Sequence, residues 1–181
     1  MLLGLALIVL SLLGAQTTGR SVTNRVGCAQ RAETSSPTVF NDPRFVGRDA
    51  RVVVGPVELR GVGTYASPQA FARLPRRDGY FPVKVALVVQ ARRSLELTVR
   101  GAGPKPVLLE YTESEPSATL IVQSCPPKTP ARSRPGVVGS GTVFTGLFDV
   151  PVAECVTLRI TDRTATRVWR TRLPLGHKCS A

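Results

Sequence analysis

A chain of 181 residues with 43% hydrophobic content holds one ordinary domain plus appendages and enough apolar mass for a packed core, which excludes a long multidomain array. The formal net charge of +12, carried by 20 Arg and only 4 Lys, draws such a chain towards polyanions: nucleic acid, anionic lipid or acidic wall polymers. Because an arginine skew also follows from a GC-rich genome, the charge speaks to association and not to fold.

Residues 2–13 are apolar apart from Gly4 and Ser11, and a polar stretch, Gln16 to Arg20, follows. That is shorter than the roughly 20 residues of a membrane span and fits the apolar centre of an export signal. The segment 1–19 is therefore read as a signal peptide, with an uncleaved membrane anchor as the alternative. No basic residue precedes the run, and cuts after Ala15 or Gly19 both remain open. Residues 20–47 are polar and unpatterned, an irregular lead-in to a domain spanning 48–181.

The domain opens with a strand at 51–54, broken at Gly55-Pro56 and resumed at 57–60. Ser67 followed by Pro68 reads as a helix cap and first helical position, with Pro75 as the stop. The centre of the chain is residues 80–111. Val83, Val85, Leu87 and Val89 share one face of an extended run. Ala86 and Val88 on the other face imply that this strand is covered on both sides. Leu95, Leu97 and Val99 then alternate with Glu96, Thr98 and Arg100. After an acidic loop holding Glu113 and Glu115, residues 118–124 form another strand ending at Cys125-Pro126. Residues 126–141 carry four prolines, three glycines and the cations Lys128, Arg132 and Arg134 without an acid, which makes them a flexible basic loop.

Residues 142–150 return to strand character. The last hairpin, 155–161 with 166–173, turns at 162–165 and predicts Thr161 opposite Thr166 and Leu158 opposite Trp169. Val156, Leu158, Ile160, Trp169 and Leu173 then share the buried face, and Arg159, Arg170 and Arg172 the other. Roughly eight or nine short strands with almost no helix give an all-β class: an antiparallel two-sheet β-sandwich of immunoglobulin-like architecture. The immunoglobulin Cys…Trp…Cys spacing is missing, since the one tryptophan, Trp169, follows three of the four cysteines.

Four cysteines behind an export signal point to two disulfides. Cys125 with Cys155 is the favoured pair, closing a loop of about 30 residues for roughly 3–4 kcal/mol, and Cys28 with Cys179 is the other. No CxxC spacing supports a metal site, and no cofactor motif is present. His177, the one histidine, lacks the surroundings of a triad. Val138 stands where a nucleophile elbow around Ser140 needs glycine. The close acid pairs, Glu113/Glu115 and Asp149/Glu154, lie in loops or beside prolines.

The basic residues are the strongest binding candidates: Arg159, Arg170 and Arg172 on one sheet face, and Lys128, Arg132 and Arg134 in the loop. Both groups suit phosphate or carboxylate polymers. No aromatic residue interleaves with them, which argues against specific nucleic-acid binding. Cys125-Pro126, residues 144–148, residues 155–158 and the ending Leu175-Gly176-His177-Lys178-Cys179 together resemble a set of uncharacterised secreted proteins of high-GC actinobacteria. The resemblance covers roughly the last 130 residues and implies export, a β-sandwich and paired cysteines, but no activity. The expected function is a non-catalytic module at the cell surface whose partner is an anionic envelope polymer or another surface protein. The alternatives are a small secreted hydrolase using Asp and Glu carboxylates, and a membrane-anchored sensor or assembly subunit.

Overall fold

The structure is a computed structural model that describes residues 24–34, 37–43, 51–112, 114–132 and 137–180. The segment read as a signal peptide, and Arg134 and Glu113, lie outside these residues. The described chain is all-β, with twelve strands. They are β1 (Asn24–Val26), β2 (Val52–Val54), β3 (Val57–Arg60), β4 (Phe81–Lys84), β5 (Ala86–Gln90), β6 (Ser94–Arg100), β7 (Leu108–Tyr111), β8 (Thr119–Gln123), β9 (Gly141–Phe144), β10 (Gly146–Val150), β11 (Glu154–Asp162) and β12 (Val168–Leu175). A single short α-helix, α1 (Pro68–Ala72), starts where the sequence places it. Ser67 Oγ accepts a bond from the Ala70 amide at 3.1 Å, and Phe71 points from the helix into the core.

Three sheets are formed, in the orders β1-β8-β6-β11-β12, β4-β10-β7 and β2-β3-β5-β9. All pairings are antiparallel except β1 with β8. The two smaller sheets share one register. Lys84 lies opposite Leu147, Leu87 lies opposite Phe144, and the Val85 amide bonds Gly146 O across the gap at 3.1 Å. β4 and β5 are thus one extended run interrupted at Val85, and β9 and β10 one run interrupted at Thr145. The interruption has a local cause. Thr145 O is taken by the Thr112 amide at 3.0 Å, and β7 packs so closely that a side chain at Gly146 would collide with Glu110 O and the Tyr111 ring.

Alternation in β6 and β11 is nearly complete: Leu95, Leu97, Val99, Val156, Leu158 and Ile160 are buried, and their neighbours are half-buried or exposed. These side chains join Val57, Leu59, Leu87, Leu109, Phe144 and Phe148 from the other sheets in one core. The expectation that the β4–β5 run is covered on both sides also holds for Val88, which is fully buried outside that core cluster. Its cover comes from the segment read as a lead-in. Ala32 N bonds Val143 O at 2.8 Å and Gly141 N bonds Thr38 O at 3.0 Å, so residues 32–34 and 37–40 follow the free edge of β9, and a Cβ at Gly141 would meet both Val88 Cγ1 and Phe40 Cβ.

The disulfide pairing differs from the one favoured by sequence. Cys28 bridges Cys125, and Cys155 bridges Cys179. The register explains why Cys125 and Cys155 cannot meet. Gln123 pairs with Ser94 at the start of β6, whereas Thr157 pairs with Arg100 at its end. The two cysteines therefore sit at opposite ends of one sheet, ten residue steps or about 34 Å apart along the strands at about 3.4 Å per residue. A disulfide needs its Cα atoms within about 7 Å. Parallel pairing of Val26 with Val122 instead carries Cys28 to Cys125, with Cα atoms 4.8 Å apart.

The last hairpin is also displaced. Thr161 faces Val168, Leu158 faces Thr171, and Ile160 faces Trp169. Asp162 closes the turn itself: its Oδ1 accepts from Thr164 N at 2.9 Å and Ala165 N at 3.2 Å, while its own amide bonds Arg167 O at 2.8 Å. The turn thus starts one residue later than predicted and the register moves by two. An even shift keeps every side chain on its face. Leu173 is buried, Arg170 and Arg172 are exposed, and Trp169 is half-buried against the β2–β3 turn.

Candidate polyanion-binding face

The outward face of the five-stranded sheet is set by the same alternation that builds the core. Reading across the register, one row runs Arg25, Ile121, Glu96, Thr161, Val168. The next runs Thr119, Thr98, Arg159, Arg170, and the third runs Arg100, Thr157, Arg172. The three predicted arginines are therefore brought together, and Arg25 and Arg100 join them. Five exposed guanidinium groups share the surface with one carboxylate, Glu96.

Arg159 and Arg170 sit directly opposite each other, and like charges in that relation disfavour the sheet. Among the described residues none of the five has an ion-pair partner, and Arg172 Nη1 donates to Ser180 O at 2.5 Å. Four threonines, Thr98, Thr119, Thr157 and Thr161, lie between the cations and offer hydroxyl groups. The spacing follows from the strands: about 5 Å between opposite residues and about 7 Å between alternate residues of one strand. A planar fork of donors at each position suits carboxylate or phosphate oxygens.

Sequence reasoning missed two members. Arg100 stood in plain view on the polar side of β6, but that β6 pairs with β11 is a long-range fact. Arg25 lies in a three-residue strand with no pattern to announce it.

The basic loop does not belong to this face. It leaves β8 at the end away from the Arg100–Arg172 row, beyond Cys125. Lys128 is exposed there with φ 66°. Arg132 is tied down: its amide donates to Glu33 Oε1 at 3.0 Å and its guanidinium donates to Ala29 O. Buried Arg31 holds the same junction, donating to Cys28 O and Pro130 O, each at 2.8 Å, and pairing with Glu33 at 3.2 Å. Arg132 therefore works as a clamp between loop and lead-in.

A groove of about 890 Å³ lies on the other side of the molecule, beside the interruption in β4–β5 and β9–β10, with Lys84, Glu110, Thr112 and Thr145 among its lining. Among the described residues Glu110 is its one carboxylate, and Arg77 Nη2 holds it at 2.5 Å. Asp149, 3.7 Å from the same nitrogen, is buried beneath and does not line the groove. Burial pushes the Asp149 carboxyl above its usual range against the pull of Arg77, with Glu110 and Asp78 adding to the rise. Of the acid pairs singled out in the sequence, Glu113/Glu115 includes a residue outside the described ones, and Asp149 and Glu154 each have their own partner. Glu154 is buried and accepts from the Ala102 amide at 2.5 Å, whereas Asp149 faces Arg77. His177 is exposed, its Nδ1 2.7 Å from Lys178 O. Among the described residues no cluster of His, Cys, Asp and Glu is arranged to hold a metal. Comparison with protein-family models, with curated proteins and with solved structures finds no match.

Proposed function

We propose that this chain is an exported binding module, a two-sheet β-sandwich of immunoglobulin-like architecture locked by two disulfides, that holds anionic polymers of a cell envelope on its arginine face. The carrying observation is the face itself: five exposed arginines, two of them directly opposed, with no acidic partner among the described residues. Such a surface is repulsive when bare and is relieved by an anion laid across it. The shared register of the two smaller sheets supports the sandwich, because they act as one layer against the five-stranded sheet. Export is supported by the apolar run at 2–13 and by the two bridges, which suit an oxidising compartment. Among the described residues no helix is long and apolar enough to cross a membrane. The resemblance to exported actinobacterial proteins points the same way.

The hydrolase alternative receives less support, since paired-carboxylate hydrolysis uses two acids flanking a substrate and, among the described residues, the groove lining holds one. Retention of the purified chain on immobilised polyglutamate and polyphosphate tests the proposal. Elution at moderate salt is the expected result; retention that does not weaken with salt, or none at low salt, overturns it. Intact mass separates the cleaved export form from an anchored one: a chain that keeps Met1 supports the anchor.

A further inference from the structure

A second concavity carries a separate proposal. Residues 77–80 form a tight hairpin turn, in which Arg77 and Tyr80 exchange backbone bonds of 2.9 Å and Asp78 and Gly79 both have positive φ, 53° and 84°. Between this turn, the Gly103-Pro104 loop and the β10–β11 connection lies a pocket of about 340 Å³. Its walls are Pro104, Pro151 and Val152, the last of which is 49% exposed. That volume is at the small end of the range for small-molecule sites.

Two cations stand on the rim. Arg76 lies over the Phe81 ring at 4.7 Å and Lys105 over the Tyr80 ring at 5.7 Å. Neither has an ion-pair partner among the described residues. The neighbouring Arg77 is the one engaged by Glu110 and Asp149, and Asp78, two residues from Arg76, forms no salt bridge with either rim cation. Aromatic rings fix both cations at the mouth of an apolar hollow without neutralising them.

We propose that this pocket binds a small amphiphilic carboxylate: the apolar body rests on Pro104, Pro151 and Val152, and the head group lies between Arg76 and Lys105. The site is independent of the arginine face, which offers charge and hydroxyl groups but no apolar hollow.

Amide spectra of the full chain, titrated with octanoate, octanol and acetate, test it. Octanoate saturates shifts at Gly79, Gly103, Lys105 and Val152; octanol moves the same amides at least about ten-fold more weakly, as loss of the charge-assisted contacts to Arg76 and Lys105 implies, and acetate moves none of them. The double variant R76Q/K105Q, both positions being exposed, keeps the wild-type melting temperature, and its octanoate affinity falls to that of octanol. Equal binding of octanoate and octanol by the wild-type chain, unchanged octanoate affinity in the double variant, or octanoate shifts confined to the arginine face would each overturn the proposal.

Discussion

Glu58 is the residue whose replacement probes the architecture most sharply. It lies in β3 with no exposure to solvent, on the sheet face that the Asn41 amide reaches. Its Oε1 accepts from Arg60 Nε at 2.9 Å and Arg51 Nη1 at 3.2 Å; its Oε2 accepts from the Asn41 amide at 3.1 Å and Arg60 Nη2 at 3.3 Å. Glu58→Gln keeps the shape, removes the charge and turns an NH2 group towards donors. Breaking a buried pair costs about 3–5 kcal/mol. Arg51 and Arg60 still reach water in part, with side-chain exposures of 10% and 20%, so a loss of about 2–4 kcal/mol is expected.

The pH dependence supplies a second check. Burial alone raises the Glu58 carboxyl, but the Arg60 bond, the Asn41 amide, the Arg60 charge and the Arg51 bond outweigh it and hold the group below its usual range. A depressed carboxylate stabilises the fold above its unfolded pKa, and that contribution is lost as pH falls through the folded value. Urea denaturation with intact disulfides, at neutral pH and below about pH 3, is the assay. The difference between wild type and Glu58→Gln is large at neutral pH and shrinks in acid. A variant within about 0.5 kcal/mol of wild type at neutral pH, or a loss that is the same at both pH values, would refute the reasoning.

Other substitutions read other parts of the fold. A Cβ at Gly55 would lie 2.5 Å from Trp169 Cδ2 and Cε2, at a φ of 55°, so Gly55→Ala costs about 2–4 kcal/mol and changes the emission of the single tryptophan; an unshifted spectrum contradicts the packing. Asp149 behaves oppositely to Glu58: burial, then Glu110 and Asp78, raise its pKa against Arg77, so its contribution is present below the unfolded pKa and lost as pH rises. Asp149→Asn is therefore at least as stable as wild type at neutral pH, by up to about 1 kcal/mol, and a urea midpoint well below wild type counts against this. Non-reducing peptide mapping recovers Cys28 with Cys125 and Cys155 with Cys179. Removing the first pair, 97 residues apart, costs about 4–5 kcal/mol, and removing the second, 24 apart, about 3–4; the reverse order contradicts the loop assignment.

What the chain disclosed about itself follows the range of the forces involved. Alternation is local, so the faces of β6, β11 and β12 were legible, and with them the placing of Arg159, Arg170 and Arg172. The Ser67-Pro68 start of α1 was legible for the same reason. The hairpin register was missed by two because Asp162 spends its carboxylate on the turn amides, a choice that side-chain chemistry permits but periodicity does not reveal. Disulfide partners depend on which ends of which strands meet, and the deciding contact is β1 with β8, three residues long, parallel, and 96 positions apart at Asn24 and Leu120. Arg25 and Arg100 escaped notice on the same account. The cover that Phe40 helps give to Val88 was implied by an apolar position on an otherwise polar face, yet nothing in that strand says what lies over it.

The salt dependence of binding tests the central claim most directly. Affinity for polyphosphate is measured over a range of salt concentrations for wild type, for R159Q/R170Q/R172Q and for K128Q/R132Q. Loss of the three face arginines lowers the slope of log affinity against log salt by about 2–3, at 0.7–0.9 per contact, with the melting temperature kept, while the loop variant leaves the slope near wild type. An unchanged slope in the triple variant, or an equal drop in the loop variant, would contradict the account.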